Sequence, residues 1–382
     1  MMSTHSQEGG ISFSRPGTGN GKRLVMSVGE NEFAQPAGLS IKGFVRRKGI
    51  TNPAAVLRGD EVTLLGRLIF EDEYGDNSAI VKYDGKYRGG QIEIFQETER
   101  VIFSPEEPFG ERGMEDFRIA KLDGERPYHG FLVHHNGRDA RTEYLRTTER
   151  DPFDLTNWER FGIWFPNIGV TEAVDLVKDQ ERKRWWRIAH GSGEFLGTKD
   201  CSLWPEKVKR PGPDGPETEY YGVPIRLLPD MQIVYVKDFR DLARREFWQD
   251  TVRNLDNHVL LRRKYEWESS HIGLAGQPVV VNEGVLVFYH GAVMDPERNY
   301  RFGAALVERT NPKKVIARTN VPIMEPTEPW EARQGVVSGK VVFPTAHIHL
   351  GDRIGHFYGA SDDCIGYCET PLKDIYNRME PE

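Results

Sequence analysis

Pro278-Val279-Val280-Val281-Asn282-Glu283-Gly284-Val285-Leu286-Val287-Phe288-Tyr289 reads as two strands folded on a tight turn. β-branched and aromatic residues flank a short Asn-Glu-Gly break, and each run has the length of a strand. The same texture recurs outward along the chain. Val62 to Leu65, Leu68 to Phe70, Gln91 to Phe95, Ile233 to Val236 and Val341 to Phe343 are short apolar runs. Thirty-nine glycines and 23 prolines supply the breaks between them. Helical patterning is scarce: 239–255 holds a few turns, and 371–379 reads as a short terminal helix. Many strands without intervening helices predict an all-β sandwich, barrel or propeller. Repetition alone does not choose among them. It amounts to a strand pair, a polar turn and then a tryptophan such as Trp158, Trp204, Trp248 or Trp267. Residues 209–218 read as an exposed loop, because strands continue on both sides. The expected organisation is therefore a polar, flexible tail over 1–23 and a single domain over 24–382.

Composition narrows the function. Against 51 lysines and arginines stand 58 acidic residues, a formal charge of -7, which is wrong for a phosphate-backbone binder. An apolar fraction of 38% is enough for a sizeable core. Three cysteines, Cys201, Cys364 and Cys368, make no disulfide scaffold and suit a reducing compartment. No stretch approaches the roughly 18–20 apolar residues of a membrane span, and the N-terminus lacks the apolar segment of a secretory signal. The expectation is a cytoplasmic protein with neither nucleic-acid nor membrane partners.

Gly113-Met114-Glu115-Asp116-Phe117-Arg118-Ile119 carries the most chemistry. In a regular strand, Glu115 and Asp116 point to opposite faces and Asp116 shares its face with Arg118. Taken alone, a structural ion pair is the plainer reading. In context the segment resembles the Glu-Asp-Pro-Arg-Ile stretch of glycoside hydrolase family 130, the β-mannoside phosphorylases and mannosidases. Further matches follow in the family's order: Asn52-Pro53-Ala54-Ala55; Leu145-Arg146-Thr147-Thr148 with Asp154-Leu155-Thr156-Asn157-Trp158; and Lys199-Asp200-Cys201-Ser202-Leu203-Trp204-Pro205-Glu206-Lys207. Arg226, Trp267-Glu268, Ile272-Gly273, Tyr289-His290-Gly291-Ala292 and Tyr358-Gly359-Ala360-Ser361-Asp362 complete the set. The resemblance spans roughly 50–375 and implies a five-bladed β-propeller with the active site in its central channel.

It also implies chemistry. The expected reaction is inverting phosphorolysis of β-mannosides to mannose 1-phosphate. The acid is Asp116, which acts through a hydroxyl of the mannosyl ring and must hold a proton near neutral pH. Arg146, Arg226, His290 and Lys199 are the expected phosphate ligands, because a dianion calls for convergent cations. Asn52, Arg67, Glu115, Arg118, Asp200, Glu206, Glu268 and Asp362 are the expected sugar-binding residues. Phosphate enters as co-substrate, with no metal or organic cofactor, and self-association occurs in the family. The alternative within the family is an inverting β-mannosidase with Glu206 or Glu268 as base. The alternative of another class is a non-catalytic sugar-binding propeller.

Three departures stand out. Phe117 replaces the family's usual proline, Ile225 stands where many members have a histidine before the arginine, and 174–196 is longer and more basic than expected. His347, His349 and His356 have no further ligand at metal-site spacing, and Cys364 and Cys368 lack a second pair, so no metal site is expected.

Overall fold

The structure is a computed structural model. It describes residues 24–26, 35–36, 43–106, 109–191, 193–211, 215–295, 297–332 and 339–382. The tail expected over 1–23 lies outside these. Strands dominate, in antiparallel meanders whose hydrogen-bonded neighbours follow one another along the chain. The first sheet is Arg46–Arg58, Glu61–Asp72, Gly75–Arg88 and Gln91–Phe103. The second is Met114–Lys121, Tyr128–His135, Ala140–Thr147 and Trp158–Phe165. The third runs from Val208–Pro211 through Glu217–Leu227 and Asp230–Val236 to Val259–Leu261.

The fourth group is built on Gly284–Val293 and Asn299–Glu308, and the fifth on Lys340–His349, Arg353–Ala360 and Cys364–Pro371. A short parallel seam, Asn299 with Lys340 and Tyr300 with Val341, joins these two into one continuous sheet. The chain ends close both groups: Leu24–Met26 adds to Cys364–Pro371, and Met379–Pro381 adds to Asn311–Thr319. The hairpin at 281–284 forms as read, with Val281 paired to Gly284.

Alternation along the strands gives each sheet two apolar faces, and five core clusters lie between them. The first and second sheets meet through Ala54, Leu65, Phe117 and Leu145, and the second and third through Phe131, Phe165, Ile225 and Val234. The third and fourth meet through Ile233, Ile272 and Tyr289, and the fourth and fifth through Phe288, Phe302 and Tyr358. The fifth returns to the first through Phe357, Ile365, Ile50 and Leu64.

The basic stretch at 174–196 is largely helical: α1 (Val170–Leu176) ends in it and α2 (Gln180–His190) lies within it, the second capped by Asp179 accepting from the Arg182 amide. Period-3.6 spacing puts Arg182 and Trp186 on the buried side. Arg182 pairs there with Asp230 and Asp256, both at 3.2 Å, and the Trp186 indole donates to the Leu228 carbonyl at 2.8 Å. The helical reading of 239–255 resolves into α3 (Arg245–Arg253) between single turns, and the terminal one into α4 (Leu372–Tyr376). No helix among the described residues is long and apolar enough to cross a membrane.

The histidines at 347 and 356 face each other across paired strands, Nδ1 to Nδ1 at 2.9 Å, whereas His349 is exposed. Burial pushes the His356 imidazole down to about 3. Above the ordinary value of 6.5 the ring is neutral folded or unfolded; between 6.5 and about 3 the unfolded chain binds a proton that the folded one refuses. Stability is therefore lost as pH falls. His356 alone should remove on the order of 2 kcal/mol between pH 7 and pH 5. Urea midpoints at the two pH values check this, with a shallower loss expected for His347→Phe/His356→Phe.

Candidate active site

The Glu-Asp segment does not run as a regular strand. The register slips between Glu115 and Arg118, and Asp116 takes φ 44, in the left-handed region. Such a bulge re-aims side chains, and it overturns the alternation read from sequence. Glu115 and Asp116 both turn to Arg67, at 2.7 and 3.6 Å, while Arg118 reaches away to Asp200 at 3.0 Å. The first sheet repeats the device: its register slips between Thr51 and Ala54, and Asn52 has φ 46. Asp200 and Asp362 are also left-handed, at φ 58 and 51. Asparagine and aspartate tolerate this region best among non-glycine residues, and such strain gathers at functional sites.

These four residues converge. Asn52 Nδ2 donates to Asp116 Oδ1 at 2.8 Å and to Asp362 Oδ1 at 3.5 Å. Asp200 takes Arg118 on one oxygen and Arg226 on the other, each at 3.0 Å. Arg226 also lies 3.2 Å from His290 Nε2. Lys199 completes the ring by donating to Glu115. Two glycines make room. A side chain at Gly273 would strike Asp200 Oδ2 at 2.3 Å, and one at Gly359 would strike Asn52 Oδ1 at 1.8 Å.

Above this network opens a cavity of about 170 Å³. It is lined by Asn52, Arg67, Asp116, Lys199, Arg226 and Asp362. Arg298, Tyr300, Val341 and Phe343, at or beside the seam of the fourth and fifth groups, line it too. None of these four was read from the sequence as a site residue, although Val341 to Phe343 was read as a strand. Arg298 lies just ahead of the strand Asn299–Glu308, so strand alternation gives no signal for it.

Charge follows from the geometry. Burial disfavours the Glu115 carboxylate, but Arg67 and Lys199 outweigh it and hold its carboxyl well below the usual range. Burial raises the Asp362 carboxyl above its ordinary value; Arg67 opposes this and Asp116 adds to it. Burial, with Arg226 and Arg118 adding, keeps His290 neutral far below the usual imidazole value.

Three sequence-predicted residues fall elsewhere. Arg146 sits on the third strand of its sheet, about 10 Å in strand spacings from the strand that bears Asp116. It pairs with Glu159 at 3.2 Å and Glu149 at 3.8 Å. Glu206 takes Arg309 Nε at 2.6 Å at the surface. Glu268 is buried, with both oxygens 2.8 Å from Arg318 and one 2.8 Å from the Tyr289 hydroxyl. Neither glutamate reaches the cavity, because each carboxylate is committed to its own arginine. Among the described residues no group of three or more His, Cys, Asp or Glu side chains is arranged to hold a metal ion.

A family model described as β-1,4-mannooligosaccharide phosphorylase matches residues 246–381. A 1,2-β-oligomannan phosphorylase of Thermoanaerobacter sp. (strain X514) is 29% identical over 281 residues, covering 74% of this chain and 76% of the relative. A β-1,4-mannooligosaccharide phosphorylase of Ruminococcus albus is 32% identical over 256 residues, 64% of this chain and 65% of the relative. The solved β-1,2-mannobiose phosphorylase of Listeria innocua, in complex with β-1,2-mannobiose, superposes with a TM-score of 0.62 at 20% identity, covering 93% of this chain and 98% of that one.

Glu268→Ala strips a buried guanidinium of its partner and should cost about 3–5 kcal/mol, read from urea unfolding. Arg146→Ala and Glu206→Gln break exposed pairs and should leave turnover within about twofold of the parent in initial-rate assays.

Proposed function

This chain belongs to glycoside hydrolase family 130, and from that premise we propose that it cleaves β-mannosides with inorganic phosphate, inverting to α-mannose 1-phosphate. The observation that carries the choice is the cavity's charge. Among its lining residues Arg67, Lys199, Arg226 and Arg298 outnumber Asp116 and Asp362. That surplus of cations suits a dianion. A hydrolase would need a carboxylate base facing the acid across a water. Glu206 and Glu268 are both held by arginines elsewhere.

In this reading a phosphate oxygen bonds to the anomeric carbon as the glycosidic C–O bond breaks. Asp116 supplies the proton to the departing oxygen, through a hydroxyl of the ring, and regains one from the hydrogen phosphate, so no protein base is consumed. Arg226 offers a fork for the phosphate. Its anchor is Asp200, and neutral His290 lies alongside. Asn52 and Arg67 hold the Asp116 carboxyl, and Glu115 and Lys199 brace Arg67 from below.

We infer the architecture as a five-bladed propeller in one domain over 24–382. Five strand groups packed in cyclic order, with the fifth against the first, support it, as does the likeness to the Listeria structure. Three buried cysteines, too few for a disulfide scaffold, support a reducing, cytoplasmic setting. Self-association belongs to the same reading on family grounds.

Incubating the protein with a β-mannobiose should give mannose 1-phosphate only when phosphate is present. Free mannose at equal rates in its absence overturns the phosphorylase reading. Asp116→Asn should lower kcat by roughly 10²–10⁴. Turnover within a few-fold of the parent would remove Asp116 as the acid.

A further inference from the structure

The cations of the cavity are not equivalent. Arg67 is committed to Glu115 and Asp116, Lys199 to Glu115, and Arg226 to Asp200. Arg298 alone among the cavity's arginines has no carboxylate within ion-pair distance among the described residues, and it lines the same space. An unpaired guanidinium facing a polar cavity is a cation waiting for an anion.

Its placement is built. The Arg298 carbonyl accepts from the Lys340 amide at 3.0 Å, which ties it to the start of the fifth group. Gly339, at φ 139, lets the two segments approach: a side chain there would meet the Arg298 carbonyl at 2.7 Å and its Cβ at 3.0 Å. The guanidinium lies 6.0 Å over the Tyr300 ring. The Tyr300 hydroxyl is itself fixed, 3.1 Å from His271 Nε2, and His271 Nδ1 is 2.9 Å from Ser270 Oγ. Tyr300 and Arg226 line the same cavity as Arg298. Burial lifts its hydroxyl, while the nearby charges of Arg226 and Arg298 pull it back.

Resting on the phosphorylase reading above, the geometry points to Arg298 as a specificity-determining residue that binds the phosphate oxygens together with Arg226, which lines the same cavity. It supplies the charge that the sequence comparison sought at Arg146. It acts on the phosphate co-substrate going forward and on the phosphoryl group of the sugar 1-phosphate in reverse. The contact favours an anionic nucleophile over water.

The test is steady-state kinetics on Arg298→Gln and Arg298→Lys, with inorganic phosphate varied at saturating β-mannobiose and then the reverse. The expected result is a rise in KM for phosphate of at least about tenfold in Arg298→Gln, the size of one lost charge-assisted contact, with partial recovery in Arg298→Lys. KM for the mannoside should stay within about twofold, because this contact belongs to the phosphate and not to the sugar. Calorimetric titration of the free protein with inorganic phosphate should show the same loss of affinity, and it needs no turnover. Unchanged phosphate KM and affinity, or a rise confined to the mannoside or the acceptor sugar, overturns the assignment of Arg298. Phosphate-independent release of mannose by the parent overturns the phosphorylase reading instead, and that outcome is visible before any variant is made.

Discussion

Arg118 has almost no access to water, and its guanidinium joins four of the strand groups. It belongs to the second sheet, grips Asp200 at 3.0 Å just ahead of the third, and lies 3.4 Å from the carbonyls of Leu274 and Thr345 in the fourth and fifth. Thr345 in turn donates to the Pro53 carbonyl in the first, at 2.7 Å. Burying a charge is costly unless it is paired and hydrogen-bonded, so this point tolerates one arrangement of the strand groups and penalises others. Burial pulls the Arg118 guanidinium down and Asp200 pushes it back, which shows how far the pair depends on each other. Asp200 then fixes Arg226, and Arg226 meets His290. The site is an outgrowth of the contact that centres the fold.

The second constraint is backbone strain. Asn52, Asp116, Asp200 and Asp362 come from four different parts of the chain and share left-handed φ values. Each costs conformational energy that a plain strand would not. The return is aim: a bulge turns a side chain out of the alternating pleat and towards the cavity. Packing repays the strain locally. Phe117 is fully buried beside Asp116, edge-on to Phe103 and Trp158 at 5.3 and 5.1 Å. An aromatic wedge thus does here the anchoring that a proline would do by rigidity.

Much of the site was legible because its residues come in short local motifs. Lys199-Asp200, Glu115-Asp116 and Tyr-Gly-Ala-Ser-Asp each carry a cavity residue with its backbone requirement, so reading the motif found the residue. Gly273 and Gly359 show why glycine belongs in two of them: a neighbour's polar atom occupies the place of a Cβ. Arg146, Glu206 and Glu268 were misplaced for one reason. A motif says which residue type occurs but not which way its strand is turned or which partner is nearer. Glu268 and Arg318 are 50 positions apart, and nothing local announces their pairing. Arg298 was missed from the other side, since a lone arginine before a strand has no distinctive neighbourhood until the fifth group closes over it.

The sequence by itself determined the local terms: strand-length apolar runs, the hairpin at 281–284, the scarcity of helices, and the residues whose backbone tolerates a left-handed turn. Propensity and period are properties of a few consecutive residues, so they survive without a fold. Only the tertiary structure decided that Glu115 and Asp116 share one arginine, that the basic run at 182–187 is a helix with a buried face, and which cations remain free. Those outcomes rest on pairings between distant segments. They are settled by which charges lose their water together.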